Sequence, residues 1–271
     1  MTLRELERAL RDAGIENWRA EAAYLAEHFC GVPYERSVFA KDEELSGDGL
    51  EAALERRIAR EPLQYILGEW KLMNETYKVS PGVLIPRQDT EVLVEWAIAN
   101  APFGGHIADL CTGSGCIAIS TLAARRDLDC VAVDKYADVL EIAKQNAVFN
   151  GVSDRIAFEA CDVLEGLPDG SFDAILCNPP YVADAECETL APELSYEPRR
   201  ALCGGEDGLD FYRSIIPGCT KILKENGIAA FEIGSSQAGA VSSIAAAHGF
   251  DAEIVKDLSG NDRVAVCKKL K

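Results

Sequence analysis

The 271-residue chain is 48% hydrophobic, enough for a sizeable core and against disorder, and no apolar run approaches the ~20 residues a membrane helix needs. Its formal charge of -18 repels phosphate backbones, so direct nucleic-acid binding is not expected and a basic protein partner fits better. The start, Met1-Thr2-Leu3-Arg4-Glu5-Leu6-Glu7-Arg8, has no signal-peptide apolar stretch, so a cytoplasmic protein, not attached to a membrane and monomeric by default, is expected.

Residues 1–66 read as a small helical bundle. Thr2 and Glu5 have capping-box spacing, with Leu3, Leu6 and Leu10 following at helical intervals. Trp18, Ala22, Leu25 and Phe29 make a second stripe, and Leu50, Leu54 and Ile58 a third that ends before Pro62. Residues 67–86 change character: Lys71 to Val79 mixes aromatic and β-branched residues before Pro81-Gly82, which predicts a hairpin linking two domains. Thr90 then stands as the cap of a helix carrying Val92, Leu93 and Trp96.

From residue 106 apolar strands alternate with helices. The strands are Ile107–Leu110, Cys130–Asp134, Ile156–Glu159, Phe172–Cys177, Ile228–Glu232, Ala252–Val255 and Val264–Cys267. Helices include Tyr136–Asn150, Phe211–Leu223 and Gln237–His248. This alternation predicts an α/β fold with a parallel, doubly wound sheet. The last two strands are joined by a short turn and are expected to pair antiparallel. Ten cysteines, at 30, 111, 116, 130, 161, 177, 187, 203, 219 and 267, form no Cys-x-x-Cys pair. They read as small buried residues in a reducing compartment, with neither a disulfide framework nor a metal site.

The first of these strands runs into Cys111-Thr112-Gly113-Ser114-Gly115. Glycines there let the backbone approach a nucleotide-like ligand. Asp134 ends the second strand and is placed to accept hydrogen bonds from both hydroxyls of a ribose. Asp162, just after the third strand, suits an adenine amino group, with Val163 against the ring. NAD and S-adenosylmethionine both satisfy this half of the pattern.

The fourth strand ends in Asn178-Pro179-Pro180-Tyr181. Two prolines cannot extend a central strand, and they hold a rigid turn beside the cofactor crevice. The Asn178 side-chain oxygen and the Pro179 carbonyl offer two acceptors for the N–H groups of a planar nitrogen, and Tyr181 offers a flat surface. That favours S-adenosylmethionine as methyl donor and leaves an amide or an adenine as acceptor.

These residues resemble the HemK-type family of peptide-chain release factor glutamine N5-methyltransferases over nearly the whole chain. Pro62-Leu63-Gln64-Tyr65-Ile66-Leu67-Gly68 is similar to the family's linker segment. Val83-Leu84-Ile85-Pro86-Arg87-Gln88-Asp89-Thr90-Glu91 is similar to its Pro-Arg-x-x-Thr-Glu signature, with Gln88 where proline is expected. Asp109 through Gly115 and the Asn178 tetrapeptide match its cofactor and acceptor motifs, with Cys111 where glycine is frequent. Glu197 to Leu202, Gly204 to Asp210 and Lys256 to Gly260 are similar to later segments.

The resemblance implies a seven-stranded, Rossmann-like class I methyltransferase sheet over 87–271, preceded by a release-factor-binding helical domain. It implies S-adenosylmethionine held by Asp109, Cys111, Thr112, Gly113, Ser114, Gly115, Asp134, Asp162, Val163 and Asn178. The substrate it implies is the glutamine of the Gly-Gly-Gln tripeptide of class-1 release factors, clamped by Asn178, Pro179, Pro180 and Tyr181. For Arg87 and Glu91 two readings stand: with Thr90 they border the active site, or they form an ion pair where the helix begins. Glu197, Arg199 and Arg200 belong either to a lid or to a solvated loop.

Overall fold

Thr2 starts the first helix, α1 (Leu3–Asp12), through a reciprocal cap: its hydroxyl accepts from the Glu5 N–H at 3.3 Å while the Glu5 carboxylate accepts from the Thr2 N–H at 2.8 Å. The computed structural model describes residues 1–270. Three further helices follow: α2 (Trp18–Cys30), α3 (Leu50–Ile58) and α4 (Leu63–Leu67). With Ala191–Tyr196, residues 1–69 make one compact unit. Leu3, Leu6 and Leu10 of α1 and Ala22, Ala23, Leu25 and Ala26 of α2 are buried in it. Ile58, expected inside, is exposed. Arg57 is buried in its place, bonded to Glu21 at 2.6 Å and Glu193 at 3.2 Å, because a guanidinium tolerates burial only with its charge paired.

The second unit comprises Trp70–Leu190 and Glu197–Lys271. The elements β1 (Glu69–Leu72) and β2 (Glu75–Lys78) form a two-stranded sheet. Helix α5 (Glu91–Asn100) precedes the alternating region: β3 (His106–Leu110), α6 (Cys116–Ala124), β4 (Asp129–Asp134), α7 (Ala137–Phe149), β5 (Ile156–Ala160) and β6 (Phe172–Cys177). After a short α8 (Asp184–Cys187) come α9 (Asp210–Ile222), β7 (Leu223–Glu232), α10 (Ala238–Ala247), β8 (Phe250–Lys256) and β9 (Asp262–Lys269). The seven-stranded sheet has the order β5-β4-β3-β6-β7-β9-β8. All neighbours are parallel except β9, which pairs antiparallel with both β7 and β8. The β7 strand begins five residues before the predicted Ile228, because Leu223 already pairs with Phe172 across an irregularity in the ladder.

Strand side chains alternate between two covered faces. Ala174 and Leu176 join the core under α5 and α6, whereas Ile175 and Cys177 join the core under α9 and α10. Order reverses at β3, which has β4 on one side and β6 on the other. In open α/β sheets such a switch point leaves a crevice at the strand carboxyl ends.

Asn146, fully buried on α7, ties β2 to the loop after β3. Its side-chain nitrogen donates to Ser114 O at 2.9 Å and Lys78 O at 3.1 Å, and its oxygen accepts from the Lys78 N–H at 2.7 Å. Replacing it with leucine leaves buried backbone groups unpaired. We expect Asn146→Leu to lower the unfolding free energy by about 2–4 kcal/mol, read by urea denaturation; a loss below about 0.5 kcal/mol would show that the tie is not needed.

Candidate active site

The register Leu110↔Cys177 sets the next residues of the two strands, Cys111 and Asn178, at the lips of that crevice. Both line a cleft that opens to solvent. Its glycine-loop wall is held by Asp134, whose carboxylate accepts the Gly113 N–H and the Tyr136 N–H, each at 3.1 Å. Each oxygen of that carboxylate retains accepting capacity. Burial pushes the Asp134 carboxyl above its ordinary range, against the pull of these two N–H groups and of Arg200.

Cys111 adopts φ of 59°, the left-handed region that glycine occupies more cheaply. That is the local reason glycine would be easier there. Asp109 lies beneath the loop, fully buried, accepting from the Thr112 hydroxyl at 2.6 Å and the Ala118 N–H at 3.2 Å. Its Oδ1 has no hydrogen-bond partner, and burial pushes the carboxyl up to about 7. Thr112, Gly113, Ser114, Asp162 and Val163 also line the cleft; Asp109 and Gly115 do not. Asp162 is held by Lys135 at 2.6 Å and by the Leu164 N–H at 3.1 Å.

The tetrapeptide is divided. Asn178 and Pro180 face the cleft, whereas Pro179 and Tyr181 do not line it. The Tyr181 ring packs on the core beneath α9 and α10, and its hydroxyl lies 3.4 Å from the Glu232 carboxylate. Its carbonyl accepts from Gln237 Nε2 at 2.9 Å. Gly204 and Gly208 press on the same backbone: a Cβ there would meet Pro180 O at 2.4 Å and Tyr181 O at 2.2 Å, so only glycine lets the segment approach.

Thr90 stands at the cap position of α5 but makes no cap hydrogen bond. The 3-10 turn Gln88–Thr90 leads straight into the helix, so Thr90 already has helical dihedrals. Its hydroxyl instead accepts from Asn178 Nδ2 at 3.2 Å. Arg87 and Glu91 do not pair. Glu91 accepts the Met73 N–H at 2.9 Å, and Arg87, at the cleft, pairs with Glu197. Glu197 is no solvated residue: it is buried and also accepts the Ile85 N–H at 3.0 Å. Arg200 lines the cleft, its guanidinium 3.7 Å from the Tyr136 ring centre, whereas Arg199 pairs with Glu188 at the surface.

Two cysteines depart from expectation. Cys187 and Cys203 form a disulfide with Cα atoms 6.2 Å apart. Val182 bridges to Cys203 in the backbone, which brings together two residues whose spacing in sequence carries no framework signal. Sequence reasoning also passed over Asn146, Tyr136, Glu232 and Gln237. Their long-range partners, Lys78 for Asn146, Arg200 for Tyr136, and Tyr181 for both Glu232 and Gln237, lie 51 to 68 residues away, beyond any local pattern.

Residues 2–68 match the PrmC N-terminal domain and residues 87–206 the Methyltransferase small domain. The chain is 42% identical to a release factor glutamine methyltransferase of Thermodesulfovibrio yellowstonii, over 82% of this chain and 81% of that protein. It is 38% identical to a release factor glutamine methyltransferase of Geobacter sulfurreducens, over 94% and 91%. A methyltransferase of Pyrococcus furiosus shares the fold, with a TM-score of 0.56 at 16% identity over 81% of this chain and 96% of that one.

Glu197→Ala removes the buried partner of Arg87 and Ile85 in one step. We expect it to cost about 2–3 kcal/mol of unfolding free energy, less than a fully buried pair because Arg87 is partly solvated. Guanidinium titration checks this, and an unchanged midpoint would show that the anchor is idle.

Proposed function

The chain belongs to the release factor glutamine methyltransferase family, and we propose that it transfers a methyl group from S-adenosylmethionine to the side-chain amide N5 of the glutamine in the Gly-Gly-Gln motif of class-1 release factors, in support of translation termination. The observation that carries this reading is Asn178, held by Thr90 in the same cleft as the glycine loop and Asp134.

The residues present fit the methyl donor. In this reading Asp134, which keeps accepting capacity, takes the ribose, Asp162 and Val163 of the same cleft lining take the adenine, and the glycine loop allows close approach. Asp109 supports the loop from below. Bound there, S-adenosylmethionine supplies an electrophilic sulfonium methyl.

An amide nitrogen is a weak nucleophile because its lone pair is delocalised into the carbonyl. In this reading Asn178 Oδ1 and the Pro179 carbonyl accept its two N–H groups and fix its approach. As positive charge builds on that nitrogen, the two oxygens stabilise it without having to reorganise. No strong base is needed if the proton leaves to water after the methyl has moved. Orientation supplies roughly 7–11 kcal/mol of the barrier lowering in the best case. Tyr181 acts by holding the turn, since its hydroxyl faces Glu232 and its carbonyl meets Gln237. The helical unit of residues 1–66 grips the release factor, and its exposed Val38 and Phe39 are apolar surface for that contact.

Mass spectrometry of purified release factor, after incubation with enzyme and S-adenosylmethionine, should place one methyl on the Gly-Gly-Gln glutamine. A methyl elsewhere, or none, would overturn the reading. Asn178→Ala is expected to lower turnover by about 100-fold or more while calorimetric affinity for S-adenosylhomocysteine stays within a few-fold. Near-normal turnover would remove the clamp. Asp134→Ala should weaken that affinity by roughly tenfold or more; unchanged affinity would take Asp134 out of the site.

A further inference from the structure

On the glycine-loop side of the cleft two side chains from distant parts of the chain meet. Tyr136 follows the end of β4, and its N–H donates to the Asp134 carboxylate at 3.1 Å. Its ring therefore belongs to the same turn as the group assigned to the ribose. Arg200 comes from the 3-10 turn Arg199–Ala201. Its guanidinium lies 3.7 Å from the ring centre and donates to Asp138, in the first turn of α7, at 3.2 Å. Tyr136 and Arg200 both line the cleft. The Arg200 side chain is also 37% exposed and that of Asp138 69%, so the stack sits on the rim, where the cleft meets solvent.

The backbone that carries Arg200 is anchored on both sides. Before it, Glu197 is buried, accepts the Ile85 N–H at 3.0 Å and pairs with Arg87. After it, the Leu202 carbonyl accepts the Val182 N–H at 2.9 Å, and the Gly204 N–H donates to the Val182 carbonyl at 2.8 Å. The Cys187–Cys203 disulfide closes the same end. The side chain itself is held far less firmly, by an ion pair with an exposed carboxylate and by a ring contact. Such contacts are weak in water, so the guanidinium can swing off Tyr136 while the strap that bears it stays in place. Neighbouring Arg199 carries the same charge but pairs with Glu188 at 2.7 Å and does not line the cleft.

Resting on the function proposed above, we propose that Arg200 gates the cofactor: stacked on Tyr136 it closes the rim on the ribose side of the cleft, and it lifts off the ring to admit S-adenosylmethionine and to release S-adenosylhomocysteine. A rigid strap bearing one weakly held side chain is what such a gate requires. The closed stack slows passage in both directions. It leaves affinity nearly unaltered, because it favours neither the empty nor the loaded cleft. A direct contact to the ligand would instead slow departure alone. Arg200 touches no reacting atom; it holds the methyl donor in the cleft while the far larger protein substrate docks.

Surface plasmon resonance on immobilised enzyme with S-adenosylhomocysteine, a zwitterion without net charge, reads both rate constants without catalysis. In Arg200→Ala the association and dissociation rate constants should each rise about 5–10-fold, with Kd within about 3-fold of wild type. Tyr136→Leu should behave alike, whereas Tyr136→Phe keeps the ring face and should keep the wild-type rates. The double variant Arg200→Ala/Tyr136→Leu should be no faster than either single one, because both open one gate. Arg199→Ala removes the same charge one residue away and should leave both constants as they are. Unchanged constants in Arg200→Ala would overturn the inference, and so would a rise in dissociation alone, which would make Arg200 a ligand contact. Equal rises in Arg199→Ala and Arg200→Ala would also overturn it, by reducing the effect to charge. If Tyr136→Leu lowers the thermal midpoint, Arg200→Ala set against Arg199→Ala decides. All of these results leave the proposed function standing, whereas a wild-type enzyme that binds no S-adenosylhomocysteine would overturn both.

Discussion

Parallel pairing of β3 with β6 is the constraint on which the rest of the structure depends. Leu110 pairs with Cys177, so the loops that leave the two strands start side by side. One carries the glycines and the other carries Asn178. A slip of one residue would exchange the two faces of β6, driving Ile175 and Cys177 under the wrong helices and moving Asn178 off the cleft. The two buried faces therefore hold the register, and the register brings together the proposed halves of the chemistry.

Neither loop is left to its own conformation. Asp134 and Asn146 hold the glycine loop from two sides, through the Gly113 N–H and the Ser114 carbonyl. Gln237 holds the Tyr181 carbonyl, and Gly204 and Gly208 lie too close to the tetrapeptide for any side chain. Glu197 fixes the segment before α5 by its pairs with Ile85 and Arg87. Such over-determination is what a reaction driven by orientation asks of its scaffold.

Charge is organised differently at the site than over the whole chain. Despite a formal -18, the cleft presents Arg87, Lys135 and Arg200 beside Asp134 and Asp162. Two of the carboxylates behind it, Asp109 and Glu232, are buried with raised proton affinities. Asp109 accepts from the Thr112 hydroxyl and the Ala118 N–H, and Glu232 from the Tyr181 hydroxyl. The cleft therefore mixes both signs, with Lys135 paired to the Asp162 of its own lining, whereas the chain as a whole is acidic.

Much of this was legible beforehand because its signals are local. Alternating apolar runs and helical stripes marked the seven strands and the principal helices, and short-range spacing marked the capping box, the glycine loop and the proline turn after β6. What only tertiary structure decided involves residues far apart in the chain. Thr90 caps nothing and serves Asn178, 88 residues on. Arg87 takes Glu197 rather than Glu91; Cys187 meets Cys203; Tyr181 turns from the cleft to Glu232. A hydrogen-bonding side chain carries no address in sequence. Its partner is chosen by which strands become neighbours, and hydrophobic burial settles that for the sheet as a whole.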